Sequence, residues 1–386
     1  MAKVSIVRCD SYEKSRVYSA VKESMEIAGF KIRKGSRVLI KPNILMPKKP
    51  ELAITTHPSI VEAVCRILSE RKCRIIVGES DGIGCTEKGF IESGIGKAAE
   101  KYGAKLVAFE KDDKKFVRNS RGKILKGIFF PKSVLDAEII INLPKLKTHA
   151  LTKFTGAVKN IYGTIPGATK SLYHMKAPAE REFCELLTDI YENVKPEFTI
   201  MDGITGMEGA GPSTGTPKKT GLIIAGKDGV AVDYVSSEII GFNPNEILTT
   251  KIAFERKLSN EKEIRIFGRE GEIIGENLKK YYVNYEKIIN VNKNVLILAQ
   301  RIFGRLSPKP VVLREKCIGC MICVKHCPVK AISFDRFPKI NREKCISCFC
   351  CVELCPEKAM RLKTSIILRM MQRASGILNL FRRKKV

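Results

Sequence analysis

Two cysteine runs carry the clearest chemistry in this chain. Cys317, Cys320, Cys323 and Cys327 are followed by Pro328; Cys345, Cys348, Cys351 and Cys355 are followed by Pro356. Both read C-x2-C-x2-C-x3-C-P, offset from each other by 28 residues throughout. Residues 314–334 and 342–362 share 12 identities in 21 positions, which marks an internal duplication. Two-residue gaps let one tight loop place three thiolates on one face of a metal–sulfur cube. The fourth corner must be filled from elsewhere in the chain.

Zinc also binds C-x2-C pairs, but its structural sites usually take two separated pairs. Duplicated four-cysteine runs, each closed by Cys-Pro, instead match the bacterial two-cluster ferredoxin run. There the fourth cysteine of each run ligates the other cluster. The expected sets are Cys317, Cys320, Cys323 and Cys355 for one [4Fe–4S] cluster, and Cys345, Cys348, Cys351 and Cys327 for the second. Cys350 aligns with Ile322 and reads as a small packing residue. Nine of the 14 cysteines fall between Cys317 and Cys355, which favours metal in a reducing compartment over disulfides.

A second set of polar residues follows apolar runs in the first 245 positions. Lys41 and Asn43, Glu79 and Asp81, Asn142, Lys145 and Lys147, then Asp202 fall where open α/β sheets place ligands. Lys145 and Lys147 alternate in an extended segment and so point the same way. Beside His149 they could hold a carboxylate or phosphate; the bland alternative is a solvated basic loop. His57, His149 and His174 are expected on nearby loops, and histidine is the usual acid/base near neutral pH. The catalytic candidates are Lys145, Lys147, His149 and His57; the substrate-binding candidates are Lys41, Asn43, Glu79, Lys159, Asn160 and Asp202. Gly78-Glu79-Ser80-Asp81-Gly82 lacks the Gly-Lys-Ser/Thr of a phosphate-binding loop. Met207 to Pro212 reads as a flexible loop.

These candidates need a scaffold of alternating elements. Short apolar runs at 4–7, 37–40, 74–77, 138–141, 198–201 and 222–225 read as strands. Helical spacing fills 15–28, 58–71, 87–102, 180–194 and 230–240. Near-continuous apolar strands between helices predict an α/β fold, a mostly parallel sheet with helices on both faces. A small α+β ferredoxin-like module should follow. The expected organisation is an α/β domain over 1–295 of one or two lobes, a linker at 296–310 around Ser307-Pro308-Lys309-Pro310, and the cluster module at 311–362. A basic amphipathic tail helix is expected over 363–386. From Arg361 onward there are eight Lys/Arg and no acid. That tail either docks on the protein or lies on an anionic membrane surface.

Lys41-Pro42-Asn43, Thr56-His57-Pro58, Gly78-Glu79-Ser80, Leu143-Pro144-Lys145-Leu146-Lys147-Thr148-His149, Lys159-Asn160 and Met201-Asp202-Gly203 together resemble the family called domain of unknown function 362. Members similar to this chain carry a ferredoxin module behind that domain. The resemblance implies kinship and names no substrate.

The formal net charge is +28, which calls for an anionic partner or reflects a lysine-rich proteome. Aromatics are 7% and Trp is absent, which argues against nucleic-acid binding through base stacking. No run of about 18 apolar residues suggests a spanning helix, so the expected location is the cytoplasm or a peripheral position on a membrane. The leading reading is an iron–sulfur oxidoreductase, with two clusters exchanging electrons with a redox partner protein and a small anionic substrate on the α/β domain. The alternative is a non-catalytic electron carrier or maturation factor whose α/β domain docks a partner oxidoreductase.

Overall fold

The computed structural model describes residues 1–167, 169–273, 276–287 and 308–363. The chain divides into two compact units, Met1–Tyr285 and Glu286–Val386. The first closes at Tyr285, ahead of the boundary at 295 read from sequence. Most of the expected linker, up to residue 307, and nearly all of the tail helix lie outside the described residues; Lys363 itself ends a strand.

The first unit is built on β1 (Ala2–Arg8), β2 (Arg37–Pro42), β3 (Arg74–Glu79), β4 (Lys105–Ala108), a separate hairpin of β5 (Lys114–Arg118) and β6 (Gly127–Pro131), β7 (Ile139–Leu143), β8 (Lys145–His149), β9 (Lys153–Thr155), β10 (Phe198–Glu208), β11 (Thr216–Gly226), β12 (Ile264–Gly268) and β13 (Gly271–Glu272). The main sheet runs β13-β12-β1-β11-β10-β7-β2-β3-β4, with β8 and β9 branching from β10. The block β10-β7-β2-β3-β4 is parallel throughout. β11 runs antiparallel to both β10 and β1. The short turn from β10 to β11 dictates that direction, because parallel neighbours need a long crossover.

The parallel strands are apolar on both faces, as their continuous runs require. In β2, Val38 and Ile40 face one core with Val17, Val21, Val64 and Leu68 from the helices Lys14–Ile27 and Pro58–Glu70. Leu39 faces the other core, with Phe183, Leu187 and Ile190 from the helix Glu180–Val194. His57 caps the helix Pro58–Glu70 through its side chain, and Pro58 fits the first turn, where no N–H bond is lost.

β10 departs from the sequence reading. It does not stop at Asp202 but continues to Glu208, through a register irregularity between Gly203 and Thr205. Gly206 permits this: a Cβ there would lie 2.7 Å from the Leu146 carbonyl oxygen of β8. Asp202 is therefore inside a strand, and Met207 is a buried strand residue, not part of a flexible loop.

The second unit pairs β14 (Lys309–Val312) with β17 (Met360–Lys363), and β15 (Ile332–Phe334) with β16 (Pro338–Ile340). Short helices Ile322–Lys325 and Cys350–Glu353 follow corresponding cysteine loops. This is the small α+β ferredoxin-like module.

Candidate functional site

The duplicated runs fold alike. Left-handed residues recur 28 positions apart: Gly319 and Ser347 at φ 70° and 54°, Met321 and Phe349 at 57° and 63°, Lys330 and Lys358 at 50° and 53°. Such turns wrap the backbone of each loop around one centre, although only the first pair offers a glycine to ease the strain.

Cys317, Cys320, Cys323 and Cys355 line a single cavity, closed by Phe334, Ile322 and Met360. The thiols whose charge acts on Cys323 are Cys355, Cys320 and Cys317. For Cys351 they are Cys348 and Cys345, followed by Cys323 and Cys327. Thiols of both runs thus act on one another, and thiolates are the donors that cubane clusters require. Ala331 N donates to Cys327 Sγ, and Ala359 N to Cys355 Sγ, each at 3.2 Å. Amide bonds of this kind to cluster sulfurs help set a potential. Cys350 is buried against Cys348, whose sulfur, together with burial, keeps the Cys350 thiol protonated. Cys65 and Cys184 are buried core thiols, and burial pushes Cys65 up to about 12.

In the first unit, the strand-end residues assemble into a buried polar floor. Lys41 Nζ lies 2.5 Å from Glu79 Oε2 and also donates to the Pro42 carbonyl. Glu79 further accepts the Ile44 and Ser80 amides. Burial pushes Glu79 up to about 7, against the lowering charges of Lys41 and Lys170. Asn160 Nδ2 donates to Asn142 Oδ1 at 2.8 Å and to the Lys41 carbonyl, tying β7 and β2 together.

Lys145 and Lys147 are both sealed from solvent, so the solvated-loop reading fails. Lys145 Nζ donates to Asp202 Oδ2 and to Tyr12 Oη, both at 2.8 Å. Tyr12 donates in turn to Asp202 Oδ1, and its ring stacks on His57 with centroids 3.6 Å apart. Lys147 Nζ donates to Asn43 Oδ1 at 2.7 Å and to the Ile54 carbonyl. These lysines thus brace β8 against the neighbouring strands and loops.

Of the three histidines expected on loops, His149 and His174 sit inside regular elements, and His57 lies just ahead of one. His57 caps a helix, His149 ends β8, and His174 lies in the helix Thr169–Lys176. Burial pushes His57 down to about 4. His149 Nδ1 accepts the Leu151 and Thr152 amides, which leaves its proton on Nε2 as a donor. Burial, then the charges of Lys159, Lys147 and His174, hold His149 neutral. His174 stacks on Phe183 at 4.2 Å, and its Nδ1 is buried with no hydrogen-bond partner among the described residues. Lys159 is half-buried, and among the described residues no carboxylate pairs with it.

Tyr12 and Lys170 carry no sequence signal for their places here. Lys170 Nζ is buried and donates to the Ser80 and Asp81 carbonyls; burial pushes it down to about 8. The loop from Ser80 is further ordered by Asp81, which accepts the Ile83, Gly84 and Cys85 amides.

The family model for a domain of unknown function (DUF362) matches residues 38–238, and that for a 4Fe-4S dicluster domain matches residues 289–360. A thylakoid-associated protein of Synechocystis sp. is 31% identical over 250 residues, covering 64% of this chain and 77% of that protein. Among solved structures, a Thermotoga maritima protein is similar at 14% identity and a TM-score of 0.37, over 64% of this chain and 60% of that one. The lactate racemase apoprotein of Thermoanaerobacterium thermosaccharolyticum follows at 11% and 0.34, over 57% and 53%. The chain thus spans less than two thirds of either solved structure.

Proposed function

The chain belongs to the DUF362 family and carries a 4Fe-4S dicluster domain, and from that premise we propose an iron–sulfur redox protein whose α/β unit binds a small anion. The dicluster domain moves electrons one at a time. Cys317, Cys320, Cys323 and Cys355 would hold one [4Fe–4S] cluster, and Cys345, Cys348, Cys351 and Cys327 the other.

The observation behind the anion is the setting of His149. Burial and then the charges of Lys159, Lys147 and His174 act against its protonation, so the imidazole sits in a basic setting. A carboxylate or phosphate there would meet the half-buried Lys159 ammonium in this basic setting. Lys145 and Lys147 act beneath, as positioning residues. Lys41, Glu79, Asn142 and Asn160 hold the strand ends that carry them. His57, neutral and stacked on Tyr12, is the candidate acid/base.

The chain is also read as peripheral to a membrane, in keeping with the relative described as thylakoid-associated. Among the described residues no helix is long and apolar enough to cross one.

Anaerobic purification tests the redox reading: about eight iron and eight sulfide per chain, with visible absorption that dithionite bleaches. Zinc in place of iron would end it. The oxidoreductase reading is tested by K159A and H149A, measured for cluster reduction and for turnover in the native pathway. Loss of turnover with intact clusters supports it; unchanged turnover leaves the α/β unit as a docking module.

A further inference from the structure

Strands β5 and β6 form a two-stranded hairpin outside the main sheet. Side chains alternate across such a ribbon. On its inner face Ile128 and Phe130 are buried, and Val117 packs against the same cluster. On its outer face Phe116 and Phe129 stand directly opposite each other, 60% and 54% exposed, with ring centroids 5.2 Å apart. The Phe116 ring lies across Gly127, where a Cβ would fall 2.1 Å from it. Lys114 and Arg118 flank Phe116 on the same face, and both are exposed. From Lys114 to Gly127 the chain carries six Lys/Arg and no acid.

This face is held rigidly. Buried Asp189 accepts the backbone N–H groups of Lys123, Ile124 and Leu125 at 2.9, 2.8 and 2.8 Å, which anchors the loop between the two strands. Arg256 Nη1 completes that carboxylate at 2.7 Å. No loop has to be ordered for the rings to be presented.

A lone exposed apolar side chain calls for no explanation. A stacked aromatic pair ringed by cations, with no acid in the segment, has the composition of a membrane-interface element. A stable protein interface needs roughly 20–30 residues a side, far more than this ribbon offers. Rings entering the headgroup boundary need no complementary pocket.

We propose that the outer face of the β5–β6 hairpin docks on an anionic lipid surface, with Phe116 and Phe129 entering the interface and Lys114 and Arg118 meeting lipid phosphates. The proposal rests on the peripheral-membrane reading above and names the surface responsible.

The chain has no Trp, so F129W installs a single emitter at the face. Its emission should shift to the blue with vesicles containing phosphatidylglycerol, and stay fixed with pure phosphatidylcholine. In the full chain, F116S/F129S should sediment with phosphatidylglycerol vesicles about tenfold less than wild type. K114E/R118E, which keeps both rings, should lose binding similarly, as should wild type at raised salt. Wild type that ignores both vesicles overturns the membrane reading and this proposal together. Wild type that binds while both double variants bind equally well overturns the hairpin alone. So do variants that lose an acidic protein partner yet keep their vesicles.

Discussion

Lys145 Nζ lies 2.8 Å from Asp202 Oδ2, and neither side chain reaches solvent. The pair joins β8 to β10 at the point where β10 is irregular. Asp202 also accepts the His57 amide and the Tyr12 hydroxyl, so one carboxylate organises three groups. Removing one partner strands a buried charge and costs about 3–5 kcal/mol. D202A should lose about that much in chemical denaturation. K145M/D202L, which removes both charges, should lose clearly less than the single variant.

Gly163 sits against the second buried pair. A Cβ there would fall 2.0 Å from Glu79 Oε1 and 2.5 Å from Lys41 Nζ. Both groups are enclosed and cannot swing away into solvent. G163A should therefore destabilise by about 1–3 kcal/mol through overpacking, read as a lowered denaturation midpoint. A neutral result would mean that the Lys41–Glu79 contact is looser than its 2.5 Å separation indicates.

His57 should impose an acid sensitivity. Burial pushes it from 6.5 down to about 4 in the folded chain. As pH falls, the unfolded chain takes up this proton first, so stability drops. The contribution is complete above about 6.5 and disappears as pH falls through the window toward 4. H57N keeps a cap acceptor for the Ser59 amide. It should flatten this part of the curve of melting temperature against pH.

The cysteine sets make opposite predictions for neighbours in sequence. C355A should disturb the cluster of the Cys317 loop and leave the Cys345 cluster's EPR signal in place. C327A should do the reverse. C350A, one residue from Cys351, should keep the full iron and sulfide content, because its thiol lies beside Cys348 as a protonated neighbour. Iron loss in C350A equal to that in C351A would make Cys350 a ligand.

Lys159 offers a direct test of anion binding. Phosphate or a small carboxylate should raise the melting temperature of the wild-type chain by mass action on the folded state. K159A should need about tenfold more anion for the same shift, and K159R should recover most of it. An equal response in K159A would place any anion elsewhere.

Local spacing was legible because local geometry dictates it. Three thiolates on one cube face must be separated by two-residue gaps, so the cysteine runs declare their chemistry before any fold is known. The parallel block could likewise be read, since strands covered on both faces must be apolar throughout, as in Val38-Leu39-Ile40. Lys41, Glu79, Asn142 and Asp202 stood out by following such runs. Their roles did not, because burial depends on what packs over a residue and not on its neighbours in the chain. Only the tertiary structure encloses Lys145 and Lys147, brings Tyr12 across 190 residues to Asp202, and sets Lys170 beneath Ser80. It also carries β10 past Asp202, because the space for β8 comes from a missing Cβ at Gly206 against a strand about 60 residues earlier. Chain-local chemistry belongs to the sequence; charge pairing, desolvation and close approach belong to distances that folding alone creates.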